Sequence, residues 1–294
     1  MTLHVEEHAR VVSVERLRPG DHAFASYADE EARWSTLGSF AQTGITKGER
    51  VLLFPDPALP RAEVLAHLAA YGPPVDGALE SGQLVVLTME QMWLPHTLSV
   101  ERQVAGLHRE IQRARRAGYP SVRSAIDMAW VPSFGADIER VLWRESAGCH
   151  YLFADSRYTE LCAYDRARFT TDVLDRAAAG HPTALLERPG SLLAIGGERP
   201  GAGYGLRLVG DADLSTREQF ADILRRVAAS GAERVVMDLT ELTFLDVHCA
   251  RSVLRLAAAM ESGRRVEIRC GGMHAHTFLL LGALNVPQLT LEGE

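Results

Sequence analysis

Between Asp21 and about Leu186, short apolar runs alternate with longer amphipathic stretches. RVLLF (50–54), QLVVL (83–87), VRSAI (122–126), HYLFA (150–154) and the region around LCAY (161–164) show little polar alternation, as strands covered on both faces do. The stretch EARWSTLGSFAQTGI predicts a helix ending near Gly44, and PRAEVLAHLAAYG a second, with Pro60 early and Gly72 beyond its end. Strands and helices in this order imply βαβ units and a mostly parallel sheet. Across RPGSLLAIGGERPGAGYG (188–205) Gly and Pro become dense, which marks a linker or a hairpin turn and puts a domain boundary there, between 1–187 and 188–294. The second segment reads strand (GLRLVG), helix (TREQFADILRRVAASG), strand (RVVMDL), helix (CARSVLRLAAAMESG), strand (VEIRC), helix (HTFLLLGAL) and strand (LTLE). That is an α/β unit of ordinary domain size.

With 47% apolar and 23% charged residues in a chain of 294, the composition suits two globular domains and is too apolar for disorder. A net charge of −7 argues against binding a nucleic-acid backbone, which needs clustered Lys and Arg. The one basic stretch, HREIQRARR, puts Arg109 to Arg116 on a helix opposite Leu107 and Ile111, the pattern of a solvated face. No apolar run approaches the roughly 20 residues of a membrane span, and MTLHVEEHARVV is no export signal, so a cytoplasmic protein is expected. Cys149, Cys162, Cys249 and Cys270 have no partner at zinc-ligand spacing, and His274 and His276, two apart, would face different ways on a helix. Neither a metal nor another cofactor is expected from these spacings.

VGDADLSTREQF and VVMDLTELTFLDVHCARSVL resemble the STAS family, whose core motif has the form D-L-S-x-L-x-F-x-D-S-S-G-L. Asp238, Leu239, Leu242, Phe244 and Asp246 match it, and the likeness extends from about Leu192 to Glu294. The resemblance implies an anti-sigma-factor antagonist that docks on an anti-sigma factor or GHKL-type kinase through the start of the helix after Asp246. Phosphorylatable members carry their phosphoserine directly after that Asp. Here Val247, His248 and Cys249 stand in place of Ser, Ser and Gly, so that route is closed, and Thr243 and Ser252 are the nearest other hydroxyls. Asp246 suits a helix N-cap, and with Thr243, Val247 and His248 it forms the candidate docking set.

GDHAFASYADEEARWSTLGSFAQTGITKGERVLLF, SGQLVVL, AGYPSVRSAIDMAW and LCAYDRARFTTDVLDRAAAGHP resemble the MEDS family, the sensory domain of a dichloromethane-responsive repressor. The resemblance implies a RecA-like α/β fold that senses a small organic ligand. The first βα connection, within Phe24 to Thr36, has no G-x-x-x-x-G-K-[ST]. It carries Tyr27, Asp29, Glu30 and Glu31 instead, which would repel a triphosphate. Asp127 and Trp130 follow a predicted strand, at the carboxyl edge where open α/β sheets bind ligands. His22, Tyr27, Glu90 and Tyr164 are candidates for the same rim.

The chain is thus expected to be an α/β protein, a RecA-like mostly parallel sheet followed by a smaller STAS-type domain, working by binding and not as an enzyme. Its expected partners are a kinase-like regulator and a small organic ligand, with no nucleic acid and no membrane; self-association stays open. A degenerate RecA-like nucleotide enzyme with an accessory STAS unit, and a purely structural scaffold, are the alternatives.

Overall fold

Residues 10–70, 75–154, 157–186, 191–199, 203–261 and 263–293 are described by the structure, a computed structural model. The chain divides into two units, residues 1–188 and 189–294. In the first, the strands are β1 (Arg10–Val12), β2 (His22–Tyr27), β3 (Arg50–Phe54), β4 (Leu84–Val86), β5 (Val122–Asp127), β6 (Tyr158–Asp165) and β7 (Thr183–Leu185). The helices between them are α1 (Glu30–Thr46), α2 (Arg61–Ala69), α3 (Asp76–Glu80), α4 (Val100–Arg116), the short α5 (Trp130–Ser133) and α6 (Ile138–Trp143), and α7 (Thr171–Gly180). All seven strands are parallel, in the order β1-β7-β2-β6-β5-β3-β4.

Helices cover both faces of this sheet, which is why β2, β5 and β6 are buried along nearly their whole length on both faces and any polar side chain they carry is enclosed. Leu37, Phe40, Val64 and Leu68 from α1 and α2 pack on one face, against Val51, Leu53, Ala125 and Leu161. Val104, Leu107, Ile111 and Ala114 form the buried stripe of α4 on the other face, with Leu52, Phe54 and Ile126, so the arginines of this helix are turned away from the core. Asp29 caps α1 by accepting from the Ala32 amide at 2.8 Å, and Gly48, at φ 71°, supplies the left-handed residue that turns the chain back into β3. Gly72, expected past the end of α2, lies outside the described residues.

HYLFA is not a strand. A π-helical turn (Arg144–Gly148) follows α6, and His150–Leu152 is a 3-10 turn. Of that run only Leu152 is fully buried, Phe153 is half-buried and stacks on His22, and Tyr151 is exposed, so the segment packs by one side and does not enter a two-sided sheet. The strands β2 and β6 are central instead. β2 leads out to β3 across β6 and β5, whereas β6 returns to β7 across β2. The chain therefore leaves the carboxyl ends of these two neighbours in opposite directions, a switch point of the kind that creates ligand crevices.

The second unit contains β8 (Leu192–Arg199), β9 (Gly203–Ala212), α8 (Arg217–Ala229), β10 (Arg234–Leu245), α9 (Val247–Ala258), β11 (Arg265–Cys270), α10 (Gly272–Leu280) and β12 (Leu289–Gly293). Its sheet runs β12-β11-β10-β9-β8, parallel except for the β8–β9 pair. Part of the Gly- and Pro-rich stretch 188–205 is thus a strand of an antiparallel pair; residues 188–190 and 200–202 of it lie outside the described residues. The α/β class holds for both units. Among the described residues no helix is long and apolar enough to cross a membrane.

Candidate functional sites

Two of the polar clusters in the first unit gather candidate residues, and they lie at opposite ends of the parallel strands. The first is at the carboxyl edge. Tyr27 ends β2 and Asp127 ends β5, and the Tyr27 hydroxyl donates to Asp127 Oδ1 at 3.0 Å. Arg33, one turn into α1, reaches Asp127 Oδ2 at 2.6 Å, with its guanidinium carbon 5.7 Å from the Tyr27 ring centroid. Arg168, beyond β6, pairs with Asp56, beyond β3, at 2.9 Å. Burial raises the pKa of Asp127 and of Tyr27; the Arg33 charge opposes the shift in both, while Asp127 adds to that of Tyr27. The Asp127 carboxylate also accepts from the Ala129 amide at 3.0 Å, so it closes the turn into α5 as well as anchoring the cluster.

Only Tyr27 and Asp127 of the six rim candidates come together here. Trp130 is buried against Trp93, with ring centroids 6.0 Å apart, because α5 turns its indole into the core. Tyr164 packs between Phe24 and Phe169 and is likewise fully buried. Glu90 is exposed on the 3-10 turn Met89–Met92. His22 begins β2, so it lies at the amino end of the sheet, a strand length from the rim. A cleft of about 200 Å³ opens beside Asp56, lined by Pro55, Leu59, Val64, Leu87 and Gln91, and Trp130 is not among its walls. It is smaller than the usual range for organic ligands of drug size.

The second cluster surrounds His22. Glu160 and Cys162 on β6 and Ser124 on β5 share one sheet face with His22, because side chains two apart on a strand point the same way and these strands are in register. Arg144 and Glu145 enter from the π-helical turn, and His181 from the end of α7. Arg144 donates to Glu145 Oε1 at 2.7 Å and to Glu160 Oε1 at 2.8 Å. Tyr158 bonds both Ser124 and Glu160. All of these side chains are buried.

Burial alone would raise both carboxylates, yet Arg144 and the neighbouring imidazoles hold Glu145 well below its ordinary value and Glu160 at about 2. Burial disfavours charge on His22 too, but Glu145 and Glu160 together outweigh it and raise its pKa. His181 moves the other way, through burial and the charge of His22. Its Nδ1 lies 2.7 Å from the Ala177 carbonyl and donates to it, so in the neutral ring Nε2 presents a lone pair 3.0 Å from Glu145 Oε2. The same oxygen lies 3.1 Å from His22 Nε2 and 3.1 Å from Cys162 Sγ.

Apart from His22, sequence reasoning missed this cluster. The usable signal was Tyr158, Glu160, Cys162 and Tyr164 alternating with Thr159, Leu161 and Ala163, which places a carboxylate on one face of a buried strand. His274 and His276 lie on α10, one buried and one exposed, and do not converge.

In the second unit, Asp246 is the N-cap of α9. Its Oδ1 accepts from the Cys249 amide at 2.6 Å, and its Oδ2 pairs with Arg217 of α8 at 2.8 Å. These contacts hold its pKa below the ordinary value although burial pulls the other way. The Asp246 amide donates to the Ala212 carbonyl at 2.9 Å, tying the start of α9 to the end of β9. Around this junction Leu214, Phe244 and Val247 are exposed, with Thr243 and His248. Ser252 donates back to the His248 carbonyl at 2.8 Å.

A parallel sheet with a polar rim and no phosphate-binding turn, joined in one chain to a smaller helix-flanked sheet, makes this a two-domain α/β protein. Residues 21–182 match the family described as the MEthanogen/methylotroph, DcmR Sensory domain, and the chain belongs to this MEDS family. Residues 195–291 match the family described as Mlab, STAS domain, so the chain carries a MEDS and a STAS domain together. No curated protein matches it. A solved anti-sigma factor antagonist from Mycobacterium paratuberculosis is similar over 35% of this chain and 86% of that one, at 16% identity and a TM-score of 0.32.

Proposed function

We propose that this chain is a signalling regulator of the anti-sigma-factor-antagonist type, in which the MEDS domain controls a STAS domain that docks on an anti-sigma factor or GHKL-type kinase. The observation that carries the reading is the start of α9. There the exposed Val247 and Phe244 flank a helix terminus fixed by the Asp246 cap and its ion pair to Arg217. Apolar side chains exposed beside a rigid polar anchor suit a protein partner. Val247 has no hydroxyl, so a phosphate directly after the cap is replaced by a permanently apolar contact, and control passes to the MEDS domain.

Binding, with no catalytic step, is the function in this reading. The first βα connection is Ala28 and Asp29 alone, and the Asp29 carboxylate already occupies the amide at the helix start where a phosphate would bind. A nucleotide-hydrolysis assay should therefore show no turnover.

Val247→Asp tests the docking surface. A carboxylate in the first turn of a helix is tolerated by the dipole, so the variant should fold normally. Partner recovered from the source cell by the wild-type chain should bind the variant more weakly by roughly 2–5 kcal/mol, through repulsion and desolvation. A folded variant with undiminished affinity would remove this surface from the mechanism.

A further inference from the structure

The geometry points to a metal site inside the MEDS domain: His22, Glu145, Cys162 and His181 bind one divalent transition-metal ion of the zinc class. The four residues come from the start of β2, the π-helical turn, the middle of β6 and the end of α7. One nitrogen, oxygen or sulfur atom from each lies within 4.8 Å of all the others, and all four residues are buried. Bond lengths of about 2.0–2.3 Å to N, O and S set the ligand atoms of a tetrahedral ion roughly 3.3–3.7 Å apart. Here Glu145 Oε2 lies 3.0 Å from His181 Nε2, 3.1 Å from His22 Nε2 and 3.1 Å from Cys162 Sγ, and the sulfur is 3.7 Å from His22 Nε2. These four separations lie within a few tenths of an ångström of the tetrahedral values, and all six fall within 4.8 Å.

Two further features favour a cation over a purely protein network. The Nδ1–H of His181 is committed to the Ala177 carbonyl, the outer contact that fixes a ligating imidazole with Nε2 free to bind. That Nε2 is buried and has no hydrogen-bond partner among the described residues, although a carboxylate oxygen faces it. The outer contacts of Glu145 are equally settled, since Arg144 takes Oε1 and leaves Oε2 for the ion.

Charge closes as well: a divalent ion is neutralised by the Cys162 thiolate and the Glu145 carboxylate, while Arg144 is matched by Glu160. A mixed imidazole, thiolate and carboxylate set suits a borderline ion better than the all-oxygen cations Mg²⁺ or Ca²⁺. With four protein ligands and no open position, the ion would tie the π-helical turn and α7 to the sheet and perform no chemistry on a substrate. This assignment is independent of the docking reading.

The full-length chain, purified without chelators, should carry close to one equivalent of metal by elemental mass spectrometry. Unfolding with a chelator and refolding with Co²⁺ should give the visible bands of tetrahedral cobalt and a thiolate-to-metal band in the ultraviolet. Cys162→Ser should lose the ultraviolet band, whereas Cys149→Ser, changing the other buried thiol near His22, should keep it. A wild-type chain that is folded by circular dichroism yet holds no metal as purified and takes up no Co²⁺ on refolding overturns the proposal. Loss of the band in Cys149→Ser, with retention in Cys162→Ser, overturns this ligand set; wild-type protein decides the first point even if a variant fails to fold.

Discussion

Replacing Gly44 by alanine should destabilise the MEDS domain, although the same change in a helix normally stabilises by up to about 1 kcal/mol. Gly44 lies on the face of α1 pressed against the sheet. A Cβ there would stand 2.5 Å from Arg123 Cδ, 2.9 Å from Arg123 Nε and 2.6 Å from Val51 Cγ2. Arg123 has little freedom to yield: it is fully buried, Nε is paired with Glu49, Nη1 donates to the Phe40 carbonyl at 3.1 Å and the guanidinium lies over the Phe40 ring.

Overpacking of this kind costs about 1–3 kcal/mol. Pushing the guanidinium off Glu49 adds a share of the roughly 3–5 kcal/mol at stake when a buried pair is broken. Set against the helix-propensity gain, the net loss should be about 2–4 kcal/mol. All four tryptophans, Trp34, Trp93, Trp130 and Trp143, are in the MEDS domain, so urea unfolding followed by tryptophan emission reports on this domain alone. Gly77→Ala is the control. It lies in α3, where an added Cβ would meet nothing within 4 Å, and the variant should be neutral or stabilised by up to about 1 kcal/mol. A Gly44→Ala protein as stable as wild type, with an unchanged denaturant slope, would refute the close-packing argument.

At the rim, Arg33→Met should cost about 3–5 kcal/mol by the same unfolding assay, because Asp127 is fully buried and loses its countercharge. Tyr27→Phe should cost about 1–2 kcal/mol, since Arg33 and the Ala129 amide still hold the carboxylate; equal costs would mean that the Arg33 contact holds Asp127 no more firmly than the Tyr27 hydroxyl does. In the STAS domain, Asp246→Ala should remove about 1 kcal/mol of protection from the first turn of α9, read by hydrogen exchange. The folded pKa of Asp246 is depressed, so its contribution is present above the ordinary value of 3.8 and fades as pH falls through and below it, and the difference between variant and wild type should shrink on that side. A difference that grows as pH falls would contradict this sign.

What the chain determined locally is what depends on neighbours in sequence. RVLLF and VRSAI became β3 and β5, since two-sided apolar runs have few other places to be buried. Asp246 became the cap of α9 because capping needs only an acceptor ahead of three free amides. The missing phosphate loop was visible for the same reason.

Tertiary structure decided the rest. HYLFA has the residues of a strand, but its place beside the π-helical turn let only Leu152 and part of Phe153 be buried. Trp130 follows a strand end, yet the direction of α5 sent it to the core and left Asp127 to meet Arg33. His22, Glu145, Cys162 and His181 are separated by up to 159 positions, from 22 to 181, and converge only because parallel pairing sets β2 beside β6 and a crossover returns α7 to their amino ends. Spacing rules describe ligands carried on one turn or hairpin; a site assembled across a sheet has no spacing to read, and its chemistry exists only once the strands have paired.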